Sequence, residues 1–131
     1  MKKVAIIGYG YVGVATEKFF ARRYATVIQD PPKGYHNGSQ VNDCDLAVVC
    51  VPTPQSENGR CDTSLVRSVV QSLNVPLILI KSTVPPGTAA RLSYFGLRIV
   101  FSPEYMGEGG YYVPPQFPDP RSPLSHGFMI L

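Results

Sequence analysis

Charge of either sign is scarce in this sequence of 131 residues. Only 16% of positions are Asp, Glu, Lys or Arg, and twelve bases against nine acids leave a net +3. The bases are scattered along the chain, so neither a nucleic-acid surface nor an anionic-membrane surface is indicated. Long apolar runs are lacking too: Val75–Ile80 and Leu46–Pro52 are the longest, far short of a membrane-spanning helix. The opening Met1-Lys2-Lys3-Val4-Ala5-Ile6-Ile7 is too brief an apolar stretch for a secretory signal. Three cysteines (Cys44, Cys50, Cys61) and two isolated histidines (His36, His126) have no metal-ligand spacing, and an odd cysteine count suits a reduced, cytoplasmic setting. No P-loop, Ser-His-Asp arrangement or internal repeat is visible, and no metal site is expected. What is present is 44% hydrophobic residues and a mean hydropathy of +0.02, enough for the core of one ordinary domain.

Short apolar runs alternate with amphipathic stretches, which predicts a parallel sheet covered on both faces. The strands read as Lys3–Ile7, Ala25–Gln29, Asp45–Val51, Pro76–Lys81 and Leu97–Phe101. Between them stand a helix over Val12–Arg23, a polar loop over Lys33–Asp43, a helix over Asp62–Leu73 capped by Asp62 or Thr63, and a short helix from Pro85-Pro86-Gly87 to about Phe95. Residues 110–127 read as a proline-rich loop, and Phe128–Leu131 as the start of a sixth strand where the chain stops. The expected fold class is α/β, a Rossmann-type doubly wound parallel sheet of five to six strands with helices on both faces, in the order 3-2-1-4-5-6.

Gly8-Tyr9-Gly10-Tyr11-Val12-Gly13 is a GxGxxG between the first strand and the first helix. In such a fingerprint Gly8 permits the tight turn, Gly10 the close approach of a pyrophosphate, and Gly13 the packing of helix on strand, while the helix N-terminus faces the phosphates. Asp30 follows at the end of the second strand, about twenty residues on, where a carboxylate binds the adenosine ribose and disfavours a 2′-phosphate. NAD is therefore expected over NADP. Lys33 stands either beside the adenosine or as a solvated surface lysine. Three further polar loops leave the carboxyl ends of later strands: Pro52-Thr53-Pro54, Lys81–Thr88, and Ser102–Gly109. Ligands of open α/β sheets bind at those ends, so the loops converge on one crevice. Glu104 and Glu108, spaced i, i+4, either supply a general base or are two surface acids. Cys50 reads as a core residue, and Cys44 and Cys61 as loop-bordering thiols without a basic partner.

Gly8–Gly13, Val51-Pro52-Thr53-Pro54, Lys81-Ser82-Thr83-Val84-Pro85-Pro86-Gly87-Thr88 and Ser102-Pro103-Glu104-Tyr105-Met106-Gly107-Glu108-Gly109 occur together and in this order. Residues 1–110 thereby resemble the N-terminal NAD-binding domain of the UDP-glucose/GDP-mannose dehydrogenase family. Such enzymes use NAD to oxidise the C6 alcohol of a nucleotide sugar to a carboxylate, through a thioester on a cysteine. The resemblance implies that Gly8, Tyr11, Val12 and Gly13 cradle the pyrophosphate, Asp30 binds the ribose, and Thr53 lines the cofactor site. Thr83 would sit near the nicotinamide and help position a catalytic water; Glu104 would stand near that threonine, and Glu108 would assist thioester hydrolysis. The Tyr105–Glu108 backbone would meet the sugar nucleotide.

The chain also departs from the pattern. Pro31–Asp43 is much shorter than the family's connection, and Tyr105, Met106 and Gly107 replace a common Phe, Leu and Arg. The family's central helix, catalytic lysine and nucleophilic cysteine lie beyond residue 131, so residues 1–131 read as one NAD-binding domain without its substrate domain. This chain alone is then expected to be inactive, with a nucleotide sugar as substrate in the full-length context and a homodimer left open. The alternative is a reduced, non-catalytic NAD-binding module acting through a partner. A 6-phosphogluconate-type dehydrogenase shares the glycine fingerprint but not the later loops.

Overall fold

The computed structural model describes residues 2–94, 96–103 and 122–125. Five strands form one wholly parallel sheet: β1 (Lys3–Ile7), β2 (Ala25–Gln29), β3 (Leu46–Val49), β4 (Ile78–Ile80) and β5 (Ile99–Phe101). The helices are α1 (Tyr11–Phe20), α2 (Gly38–Val41), α3 (Ser64–Ser72) and α4 (Thr88–Ser93), with single 3₁₀ turns at Pro31–Lys33 and Pro123–Ser125. Strand side chains alternate between the two faces, as the period of two requires. Ala5, Ile7, Ala47, Val49, Ile78 and Ile80 pack with Val41 of α2, Val66 and Val70 of α3 and Leu92 of α4. Val4, Ile6 and Val48 form a second cluster, joined by Phe20 of α1. The α/β doubly wound expectation therefore holds, with one helix on one face and three on the other.

The strand order does not hold. It is β2-β1-β3-β4-β5, with β3 pairing β1 in register Val4↔Leu46 through Ile7↔Val49. The expected order placed the third strand outside the second. Here the connection after β2 carries no strand; it crosses back and delivers β3 to the far side of β1. What lies beside the outer edge of β2 is a side chain. Asn37 Nδ2 donates to the Ile28 carbonyl (2.8 Å), and the Asn37 N–H donates to Gln29 Oε1 (2.6 Å). The first of these satisfies a backbone edge carbonyl that would otherwise be open to strand addition. The expected loop over Lys33–Asp43 accordingly contains a one-turn helix, α2, whose Val41 is buried in the core. The sixth strand at Phe128–Leu131 and most of the 110–127 loop lie outside the described residues.

At the carboxyl edge the sheet is pinned just past β1, β3, β4 and β5. The Gly8 N–H bonds Gln29 O (2.9 Å), Cys50 N–H bonds Ile7 O (2.7 Å), Lys81 N–H bonds Val49 O (2.9 Å) and Ser102 N–H bonds Ile80 O (3.0 Å). The loops that follow β1, β3, β4 and β5 thus leave from fixed points. Because α1 leads one way from β1 and α2 leads back the other way, the topological switch point falls between β1 and β3.

Candidate functional site

A cleft of about 850 Å³ opens at that switch point. Its centre is the turn from β1 into α1. Gly8 has φ +88°, and a Cβ there would lie 2.6 Å from the Cys50 carbonyl oxygen. At Gly13 a Cβ would lie 2.0 Å from the Gly8 carbonyl oxygen, so helix and strand touch through backbone alone. Gly10 differs: a Cβ would meet nothing within 4 Å, because the glycine borders open cleft. It is also the residue flanking α1; no side chain caps the helix and no acid stands in its first turn. The first N–H groups of a helix have no intrahelical acceptor, and here they meet the cleft at Tyr11 and Val12. Gly13 itself is buried behind Gly8, and its close contact there is the packing role expected of the third glycine.

Asp30 follows β2 and lines the cleft. Its Oδ2 accepts the Tyr9 N–H (2.7 Å), while Lys33 Nζ donates to the Tyr9 carbonyl (2.7 Å). Both backbone groups of Tyr9, in two successive peptides of the glycine loop, are therefore held, and Lys33 is neither merely solvated nor clear of the loop. The Tyr9 ring meets Tyr35 edge to face at 5.1 Å. Burial, with the neighbouring Glu17 charge and hydrogen bond, holds the Tyr9 phenol above its ordinary pKa. This bracing was absent from the sequence reading; the consecutive Pro31-Pro32 turn between two tyrosines was its only signal.

Across the cleft, Thr53 and Thr83 meet directly. Thr53 Oγ1 donates to the Thr83 carbonyl (2.7 Å), joining the loops after β3 and β4. Cys61 enters the same corner, with Sγ 3.6 Å from the Thr83 carbonyl and 4.0 Å from that of Thr53. Ser82 is buried and donates to the Val51 carbonyl (2.8 Å). Lys81 lines the cleft and donates to the Ser102 carbonyl (3.2 Å), tying in the segment that leads toward Glu104. Cys50, expected within a strand core, lies just past β3 and is partly buried at the cleft wall. Cys44 is buried, and burial pushes its thiol pKa up. Glu104, Glu108 and the Tyr105–Glu108 backbone lie outside the described residues. Among the described residues no group of His, Cys, Asp or Glu could hold a metal ion, and no helix is long and apolar enough to cross a membrane.

Residues 35–113 match the sequence model of the UDP-glucose/GDP-mannose dehydrogenase family, NAD binding domain. The chain belongs to this family. A UDP-N-acetyl-D-mannosamine dehydrogenase of Methanococcus maripaludis is 30% identical, over 70% of this chain and 31% of its own length. The UDP-glucose 6-dehydrogenase TuaD of Bacillus subtilis is 25% identical, over 83% of this chain and 34% of its own. The domain therefore spans about a third of these relatives. The first alignment runs over 132 positions yet takes in only 70% of this chain, so that relative carries insertions the domain lacks. Two solved structures share the fold at TM-score 0.64. One is a ternary complex of GDP-mannose dehydrogenase from Pseudomonas aeruginosa (19% identity, 82% of this chain and 37% of that one). The other is a UDP-glucose dehydrogenase from Pyrobaculum islandicum (22%, 83% and 37%).

NAD is the cofactor of this family domain, and the residues present fit it. Open space at Gly10, an acid-free helix N-terminus and the Asp30 carboxylate, whose Oδ1 has no partner among the described residues, match a pyrophosphate and a ribose in turn.

Proposed function

We propose that this domain contributes the NAD site of an enzyme that oxidises the C6 alcohol of a nucleotide sugar to a carboxylate. The observation that carries the reading is the convergence of the glycine loop, Asp30, Thr53 and Thr83 on one cleft. NAD, when bound, supplies the hydride acceptor. Gly8, Gly10, Tyr11 and Val12 present backbone to its pyrophosphate, and Asp30 accepts from the ribose hydroxyls while repelling a 2′-phosphate. Lys33 holds the glycine loop from the adenosine side. Thr53 fixes the Thr83 segment, so that the Thr83 hydroxyl meets the nicotinamide end and orients a water. Glu104 and Glu108 serve as general bases there. The names of the relatives support a UDP-sugar, either a glucose or an N-acetylmannosamine derivative. A homodimer and a cytoplasmic setting belong to the same proposal.

The covalent step needs an activated thiolate. Burial pushes Cys44 the wrong way, the Cys61 thiol faces the Thr53 and Thr83 carbonyl oxygens, and neither Cys61 nor Cys50 at the cleft wall stands where the family carries its nucleophile. The 131-residue chain alone is therefore proposed not to turn over. The short connection after β2 favours a second reading, a reduced NAD-binding module that works through a partner chain. Calorimetric titration with NAD and NADP tests the cofactor site: NAD binds more tightly, and Asp30→Ala removes that preference. Equal or tighter NADP binding by the unaltered chain would sink the assignment. Incubation with NAD and UDP-glucose tests turnover. Steady NADH production that vanishes in Cys61→Ala would overturn the claim of inactivity.

A further inference from the structure

α3 has two open flanks. Its buried stripe, Val66 and Val70, lies on the sheet, while Leu65, Val69 and Ser72 turn to one side and line the cofactor cleft. Thr63, just before the helix, and Arg67 and Gln71 follow at intervals of four residues, so they share the other side. There they line a second cavity, of about 300 Å³, against Thr88, Arg91 and Leu92 of α4. None of these six residues borders the first cleft. The volume stands at the lower end of the range for small-molecule sites.

The wall of this cavity is one-sided in charge. One guanidinium enters it from each helix, and among the described residues no carboxylate lines it. Asp62, the acid nearest in sequence, is turned to the Ser64 N–H (2.8 Å). Like charges that converge on one pocket repel, and an anion between them removes that cost. Arg91 is already braced for such a ligand. Its Nη2 donates to Thr88 Oγ1 (3.3 Å), and that hydroxyl donates in turn to the Pro85 carbonyl (2.8 Å). Thr88 is only 5% exposed, so the guanidinium is anchored at one end to a fixed point while most of its donors face solvent. Thr63 precedes α3, yet its hydroxyl caps nothing. The Arg67 guanidinium and the Gln71 amide have no hydrogen-bond partner among the described residues.

From this arrangement we propose that the groove between α3 and α4 is a second ligand site, which takes the phosphate group of a small phosphate monoester. Two guanidiniums match a dianion in charge and offer forked N–H donors to its oxygens, which one carboxylate uses only in part. Thr63 and Gln71 supply neutral hydrogen bonds for the rest of the ester, over a floor that includes the buried Leu92. Both arginines are exposed, which an anion arriving from water requires. The site does not depend on what occupies the first cleft.

The test is titration of the isotope-labelled chain with glycerol 3-phosphate, followed by proton–nitrogen correlation NMR, which reads where the probe binds. Glycerol is the uncharged control and acetate the single-carboxylate control. Saturable shifts are expected at Arg67, Gln71, Thr88 and Arg91, with half-saturation at about 1 mM and a loss of affinity as salt is added. Glycerol should leave these signals in place, and acetate should bind more weakly than the phosphate ester. Arg67→Gln and Arg91→Gln are each expected to weaken binding about tenfold, the value of one charge-assisted hydrogen bond. Far-UV circular dichroism checks that both variants are folded. Shifts confined to the glycine loop, or no shifts at all, would overturn the second site. A response that never saturates, or that survives unchanged in both variants, would show a solvated basic face and overturn it as well. Acetate binding as tightly as the phosphate ester would overturn the assignment to a phosphate.

Discussion

The two sides of the cleft are made of different material. On the phosphate side the walls are backbone: Gly8 beneath the Cys50 carbonyl, backed by Gly13 packed against the Gly8 carbonyl, and the open N-terminus of α1. On the opposite side they are side chains, with Thr53 bonded to the Thr83 loop, Cys61 close to both, and Lys81 reaching to Ser102. A backbone wall has no freedom to relax, and a substitution there has nowhere to put its atoms. A side-chain wall is held by single hydrogen bonds, each worth about 1 kcal/mol net. The first side should therefore fail all at once and the second by degrees.

The sharpest test of that contrast lies within the glycine loop itself. Gly13→Ala places a methyl group 2.0 Å from a carbonyl oxygen that cannot move without breaking the Gly8 turn. We expect a loss of about 4 kcal/mol or more in urea denaturation, at the upper end of what single substitutions cost. Gly10→Ala meets no protein atom, so stability should change by less than about 1 kcal/mol, while NAD affinity falls at least tenfold as the methyl takes space needed by the pyrophosphate. If the two variants lost similar stability, the division between a packing glycine and a ligand-facing glycine would be wrong.

That division was largely legible in advance, and the reason is local. β1 and β2 begin and end where the apolar runs do, at Lys3–Ile7 and Ala25–Gln29, because burial on the sheet and the stop at Gly8 or Asp30 are set by neighbouring residues. The spacing from Gly8 to Asp30 is likewise a property of one βαβ unit. Strand order is not. Whether β3 lies outside β2 or beside β1 depends on which distant edge offers better pairing, and no period in Leu46–Val49 encodes it. The outer edge of β2 is met by Asn37, a side chain from within what reads as an ordinary polar loop. The same holds for α2: four residues are too few to show a helical repeat, and only tertiary burial of Val41 makes them one.

On the side-chain wall, Thr53→Val keeps the shape and deletes one donor. Among the described residues, the Thr83 carbonyl then retains only the weak Cys61 thiol as a hydrogen-bonding neighbour. Because both threonines are accessible enough for water to take up part of the loss, the expected cost is about 1 kcal/mol in urea denaturation. A loss comparable to that of Gly13→Ala would show that the Thr53 and Thr83 loops are as rigid as the glycine turn, and the contrast would collapse.

The smallest effect belongs to the far side of the same loop, where α3 begins. Asp62, and not a side chain of Thr63, supplies the acceptor there: its Oδ1 takes the Ser64 N–H at 2.8 Å. The hydrogen bonds to Ser64 hold the carboxyl below its ordinary value of 3.8. A carboxyl whose folded pKa is depressed stabilises the fold above its unfolded pKa, and that contribution fades as pH falls through the lower, folded value. The Asp62→Asn substitution removes the charge but leaves an oxygen able to accept the same N–H, so the difference between the two proteins isolates the charge. The group is fully exposed, hence screened, and the gap should also narrow with added salt. Thermal unfolding should find the wild type slightly more stable at pH 6, with the gap closing below pH 3.8. A gap that stays constant from pH 6 to well below pH 3.8 would mean that the carboxylate charge contributes nothing to the start of α3.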